Sequence, residues 1–272
     1  MPLKKLQLKA GVNRENTRYT SEGGWYESDK VRFRQGMPEK IGGWQRISTS
    51  TFQGVCRSLH SWVTLVNLTL TSVGTHLKYY LENGGAYYDI TPIRATVTLT
   101  NPFTTANGST TVTVTDANGG YADGDFVTFS NASASGGLTL NGEFQITFST
   151  GNTYTITAAS AASSTATGGG TVTATYQISS GTALESPLVG WSAGTWGEGT
   201  WGNGGASTES LRIWSQGNFG EDLILGHRGS PLYFWDASEN TPLDNPATLL
   251  SAESGASNVP TAQNIILVSD IN

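Results

Sequence analysis

Charge, cysteine and histidine are all scarce in this chain. Only 13% of its 272 residues are charged, and it has three histidines and one cysteine. A lone Cys56 has no internal disulfide partner, and no basic segment followed by an apolar stretch opens the sequence, so folding in a reducing cytoplasm is expected. No apolar run approaches the roughly 20 residues that span a bilayer. The runs stay as short as Ile265-Ile266-Leu267-Val268, so no membrane partner is expected. His60, His76 and His227 stand apart from one another and from Cys56, without the spacing of a zinc site. Gly168-Gly169-Gly170 leads into a strand-like run with no Lys-Ser/Thr after it, which excludes a phosphate-cradling loop, and no Gly-x-Ser-x-Gly elbow occurs. The stretch from Asp116 to Asp125 superficially resembles a calcium loop. It has Tyr121 and Val127 where that pattern needs Gly and Glu, and reads as a turn of Asx and Gly. The expectation is therefore no catalytic residue, no cofactor, no metal and no enzyme.

What the chain does have is 34 glycines with frequent Thr, Ser, Tyr and Trp, the composition of an all-β protein rich in turns. Its most informative feature is a repeat. Gly74-Thr75-His76-Leu77-Lys78-Tyr79-Tyr80 recurs in type as Gly229-Ser230-Pro231-Leu232-Tyr233-Phe234-Trp235. Apolar runs precede both copies, and Thr91-Pro92-Ile93 and Thr241-Pro242-Leu243 follow them. A strand, a Gly turn, an aromatic strand and a Pro stop thus occur twice, as in blades of a β-propeller. The first copy, in residues 47–93, predicts strands near 59–66, 68–73, 76–82 and 86–90, with Asn83-Gly84 as a two-residue hairpin turn.

Residues 94–178 change texture to Thr, Ser, Ala, Gly and Val. Alternating runs such as Thr111–Val114, Phe126–Phe129, Gly142–Ile146, Thr153–Ile156 and Thr171–Ala174 predict a small inserted β-sandwich of five or six strands. Residues 179–272 comprise a Gly/Trp-rich loop, the second blade and, at Asn264–Ser269, the first strand of a third. Two blades and a strand do not close a propeller of about four to eight blades, so a partial ring is expected.

Charge is unevenly placed. Residues 1–46 hold ten Lys/Arg against five acids, and the remainder holds five against sixteen, so a +5 end is joined to a −11 body. The basic end is not a plain tail, because Trp25, Tyr26, Phe33 and Trp44 interleave with the charges. In Val31-Arg32-Phe33-Arg34 alternation places the apolar pair on one face and the arginines on the other, ahead of a turn at Gln35-Gly36-Met37-Pro38. Stacking of bases on Trp25 or Phe33 would suit single-stranded nucleic acid. A protein interface with aromatic anchors and paired arginines suits it better, since the same chain supplies an acidic body. Arg14, Arg18, Trp25, Tyr26, Arg32, Phe33, Arg34 and Trp44 are the candidate assembly residues.

The run Gly11–Tyr19, with Asp29–Trp44, resembles the start of bacteriophage virion proteins of the short-tail nozzle or DNA-stabilisation (head-completion) type. Leu211–Asp222 with Tyr233-Phe234-Trp235-Asp236 resembles them too. The resemblance implies a structural homo-oligomer in the virion tail, a hexameric ring built on β-propellers at the head-tail connector. Its partners would be the portal or adaptor and other tail proteins. DNA would pass the channel during ejection without specific binding, and an acidic wall suits such passage because it repels phosphates. An alternative from another class is a carbohydrate-binding β-module with Trp191, Trp196 and Trp201 as stacking platforms for sugar rings.

Overall fold

The computed structural model describes residues 9–15, 17, 19–20, 23–43, 46, 48–117, 119–183, 211–238 and 243–269. The protein is all-β. Among the described residues nineteen strands form five antiparallel sheets, none closed into a barrel, and the one helical element is a single 3₁₀ turn at Leu250–Ala252. The chain divides into two compact units, Met1–Thr49 and Ser50–Asn272.

The first unit holds one hairpin, β1 (Val31–Arg34) with β2 (Met37–Lys40), in the register Arg34↔Met37 and Val31↔Lys40. Its turn is two residues, Gln35 and Gly36, both at positive φ as a type I′ turn requires. The expected turn was longer, but Met37 and Pro38 belong to the second strand. A two-stranded sheet leaves an outer edge where the missing proline N–H costs no ladder bond.

In the second unit β3 (Cys56–Val63), β4 (Thr69–Thr75), β5 (Tyr79–Asn83) and β6 (Ala86–Asp89) form a meander, each strand beside the next. The β5–β6 turn is Gly84-Gly85, one residue later than expected from Asn83-Gly84. Both glycines lie at positive φ, +59° and +88°, which a type I′ turn demands and glycine supplies without steric cost. The inserted stretch then contributes nine strands, more than the five or six expected. They are β7 (Ile93–Thr100), β8 (Phe103–Thr105), β9 (Thr111–Thr115), β10 (Phe126–Ser130), β11 (Gly142–Gln145), β12 (Phe148–Thr150), β13 (Thr153–Thr157), β14 (Ala166–Gly168) and β15 (Thr171–Gln177). One sheet runs β11-β10-β15-β7 and the other β12-β13-β9-β8-β14.

Alternation explains the arrangement of the insert. Val112 and Val114, Tyr154 and Ile156, Val127 and Phe129, and Val172 and Ala174 point inward to one core shared by both sheets, while the intervening threonines point outward. Threonine meets threonine across the strands, as in Thr171↔Thr100, Thr173↔Thr98 and Thr155↔Thr113, which suits β-branched pairs on a pleated surface. The strands missed from sequence include three-residue segments too short for a period of two to register.

The chain returns to build a second meander, β16 (Trp214–Phe219), β17 (Asp222–His227), β18 (Tyr233–Trp235) and β19 (Thr248–Leu249). The two meanders face each other across one core. Leu70, Tyr79 and Leu81 come from the first, Trp214, Leu223, Leu225, Tyr233 and Trp235 from the second, and Ile90 and Ile178 flank them. Gly74 was expected in a turn equivalent to that at Gly229. It lies inside β4 instead, paired with Tyr79, and the turn falls at His76–Lys78. The reason is a close approach: a Cβ on Gly74 would stand 2.6 Å from the Trp214 ring. Trp214 Nε1 donates to the Thr75 carbonyl at 2.6 Å, and its ring meets Tyr79 edge-on with centroids 4.7 Å apart.

The expected first strand of a third blade, Asn264–Ser269, forms no ladder among the described residues. It lies against β16 through the Ser215 side chain, which receives the Ile266 N–H at 2.8 Å. A side chain thereby takes the bond that a neighbouring strand would have offered.

Gly74→Val should lower the unfolding free energy by about 3 kcal/mol, because a side chain there must displace the Trp214 ring. Gly42→Ala, with nothing within 4 Å of its Cβ position, serves as the control and should shift stability by under about 0.5 kcal/mol. Urea midpoints at constant m-value measure both, and equal midpoints would contradict the seam described above.

Candidate assembly interface

Within the first unit the expected alternation holds: Val31 and Phe33 are half-buried, Arg32 and Arg34 exposed. Phe33 packs edge-on against Trp25, centroids 6.0 Å apart. Trp25 is fixed by a parallel bridge to Val12, with the Asn13 N–H donating to its carbonyl at 2.9 Å. The guanidinium of Arg14 stands 5.7 Å from the Tyr26 ring centre and pairs with Glu27 at 3.3 Å. Arg32 Nε donates to Glu39 Oε2 across the hairpin at 3.1 Å. Arg14 and Arg32, two of the candidate assembly arginines, thus have acids inside their own unit. Both pairs are exposed, and pairs of that kind contribute at most about 1 kcal/mol, so they exchange readily for other partners. Arg18 and Trp44 lie outside the described residues. The structure therefore joins Trp25 to Phe33 and Arg14 to Tyr26, and leaves Arg32 and Arg34 together on the exposed face of β1.

The second unit contains an ionic centre that the sequence reading passed over. Lys78, in the loop between β4 and β5, is 1% exposed. Its Nζ donates to Asp89 Oδ2 at 2.6 Å and to the carboxylate of Glu143, and lies 4.4 Å from the centre of the Phe126 ring. Asp89 Oδ2 also accepts from Gln177 Nε2 at 3.0 Å, and its Oδ1 accepts the Thr91 N–H and hydroxyl at 2.9 and 2.5 Å. Lys78 and Asp89 belong to the first meander, while Glu143, Phe126 and Gln177 belong to the insert. A buried ammonium shared by two carboxylates is thus the polar joint between them. The available signal was one lysine in an aromatic strand of a body with only five Lys/Arg.

The histidines are absorbed into the same framework. His60 bonds Asn218 through Nε2 and stacks on Trp62, joining the edge strands β3 and β16. His76 Nδ1 accepts the Val55 N–H at 2.9 Å; burial, and then Arg57 and Arg212, hold its pKa below the usual imidazole value. Burial lowers the His227 pKa to about 4, with Arg212 adding to the effect.

Among the described residues no group of three or more His, Cys, Asp or Glu is placed to hold a metal ion. The acids of the calcium-like loop serve separate partners. Asp116 Oδ2 accepts from the Tyr176 hydroxyl at 2.7 Å, and Asp123 Oδ1 from Ser149 Oγ at 2.6 Å. Asp125 accepts the N–H groups of Ala122 and Ser180 at 3.0 and 2.8 Å. Tyr176 and Tyr154 share a bond at 2.8 Å; burial drives both pKa values upward, that bond opposes the rise at Tyr154, and the Asp116 charge adds to it at both. Trp191, Trp196 and Trp201, the candidate sugar platforms, lie outside the described residues.

At one end of the facing meanders Glu221 acts as a clamp. Its carbonyl accepts from Trp62 Nε1 at 2.9 Å and its Oε2 from the Leu65 N–H at 2.8 Å, so the β3–β4 and β16–β17 turns sit side by side. Asp222 follows. Burial raises its pKa, the Ala237 N–H at 2.9 Å opposes the rise, and the nearby Asp236 and Glu221 add to it.

No protein-family model and no curated protein sequence matches the chain. Among solved structures, a phage phi92 endosialidase chain aligns with 78% of this chain and 32% of its own length, at 18% identity and a TM-score of 0.27. The chain therefore spans about a third of that protein, and a likeness of this size assigns no function.

Two outcomes test the buried groups. Lys78→Met should cost about 2 to 3 kcal/mol, less than a fully buried pair because both carboxylates keep some solvent, and should be visible in denaturant titration. His227 has a folded pKa below its unfolded one, so its stabilising contribution is complete above about pH 6.5 and is lost as pH falls toward 4. His227→Gln should flatten the stability profile across that window by up to about 3 kcal/mol, and an unchanged profile would contradict the burial of the neutral ring.

Proposed function

We propose that the chain is a non-enzymatic structural component of a bacteriophage tail, of the nozzle or head-completion type, that assembles around the DNA exit channel. The observation carrying this reading is the segregation of charge onto two compact units: a basic unit with an exposed arginine face, and an acidic one of stacked antiparallel sheets. Opposite charge on separate units favours contacts between copies, each giving its basic unit to the acidic surface of the next. The resemblance of Gly11–Tyr19, Asp29–Trp44 and Leu211–Asp222 to phage nozzle proteins supports the same reading. Two meanders packed face to face through Trp214 suit neighbouring propeller blades. A net −11 on the body suits a channel wall that duplex DNA slides past, since a wall of cations would bind its phosphates.

Antibody against this chain should decorate purified virions at a single tail vertex, and a chain carrying Arg32→Glu and Arg34→Glu should fail to incorporate. Decoration over the whole capsid, or normal incorporation of the variant, would contradict the proposal. Tight duplex binding by that variant, weakening steeply with salt, would reveal a basic DNA site on the body and contradict the channel role.

A further inference from the structure

Residues 264–269 lie beside β16 but join no ladder among the described residues. The segment is anchored where Gln263 exchanges backbone bonds with Gly229 and Ser230, at 2.7 and 3.1 Å. It then follows β16 in the same direction. Ile266 bonds Ser215, and Val268 packs over Gly217, its Cγ2 3.0 Å from where a Cβ would stand. Ile266 and Val268 therefore face the sheet. Ile265 and Leu267 face away, 81% and 92% exposed.

The row does not end there. β16 continues to Phe219, which is 55% exposed, and the next turn brings Glu221 against Leu65, itself 85% exposed. Exposed apolar residues thus flank β16 and the turn after it, beside the carboxylates of Glu221 and Asp222. Outward apolar side chains gathered on one surface invite a partner that covers them. The acids select a cationic one.

The hairpin of the first unit has the matching chemistry. β1 and β2 are four residues each, a size that is marginal on its own, and both have a free edge. Arg32, Arg34 and Met37 are exposed on it. Net charges of +5 and −11 make the attraction general, and Glu221 and Asp222 give it a location.

We propose that the surface carrying Ile265, Leu267, Phe219 and Leu65, with Glu221 and Asp222 beside it, is the seat of the β1–β2 hairpin of a second copy of this chain. The proposal rests on the reading of the first unit as the assembly element and names the surface it meets. Each copy then offers one hairpin and one seat, a head-to-tail contact that repeats around a ring.

The test uses the full chain. Cys56 is free and exposed, so Cys56→Ser gives a cysteine-free background. Met37→Cys is placed in a tagged chain and Leu267→Cys in an untagged one, both at exposed positions. Mild oxidation of the mixture should give a tagged–untagged disulfide dimer that reductant dissolves. Adding Arg34→Glu to the tagged chain should reduce its yield roughly twofold to fivefold, the factor an exposed charge pair carries. A chain with both cysteines that closes its own disulfide as a monomer would overturn the second copy as occupant. Absence of the mixed disulfide, while the unaltered chain sediments as an oligomer and Arg34→Glu as a monomer, would overturn the seat but keep the assembly reading. An unaltered chain that sediments as a monomer and gives no mixed disulfide would overturn both.

Discussion

The second unit depends on one close approach, the Trp214 ring seated on the bare backbone of Gly74. Trp214 opens β16 and Gly74 lies near the end of β4, and the whole inserted stretch lies between them in sequence. Their contact brings the two meanders face to face and sets the spacing of the core between them. Tyr79, Leu225 and Tyr233 share that core, and the Thr75 carbonyl takes the indole N–H of Trp214 so that this buried donor is satisfied. A tryptophan so placed contributes a large buried area with a single hydrogen-bonding requirement.

Around that seam the polar joints act as hinges that have been pinned. Lys78 links the first meander to the insert, and its burial makes the link specific, since an ammonium shared by Asp89 and Glu143 tolerates little displacement. Glu221 links the two turns at the far end and His60 the two edge strands, so the meanders are tied at their rims as well as through their core. What this leaves unsatisfied is informative. The exposed apolar residues of 264–269 and of the two turns are an unusual surface for a chain with so few charges to keep it dispersed. The proposed docking of a basic hairpin over them would give the charge separation between the units a structural purpose.

Much of the architecture was legible in sequence because it rests on alternation. Thr-x-Thr runs with Val, Ile or Tyr between them fixed which face is buried, and Val31-Arg32-Phe33-Arg34 displayed both faces of its hairpin. The repeat of an aromatic strand after a turn found both meanders. Three things escaped for identifiable reasons. Gly74 was read as a turn because glycine marks turns more often than close approaches, and the ring that requires it lies 140 residues away. Lys78 was hidden because its partners Asp89 and Glu143 come from different parts of the chain, and burial of a lysine leaves no periodic trace. Asn264–Ser269 has the side-chain pattern of a strand, but a ladder requires a neighbour, which no property of the segment itself supplies.

The central claim is that opposite charge on the two units drives one copy onto the next. Sedimentation of the full chain across ionic strength tests it most directly. The account predicts assemblies heavier than a monomer at about 0.05 M salt that shift toward monomer at about 1 M, where the screening length falls to roughly 3 Å. A chain that is monomeric throughout, or whose assembly strengthens as salt is added, would contradict it.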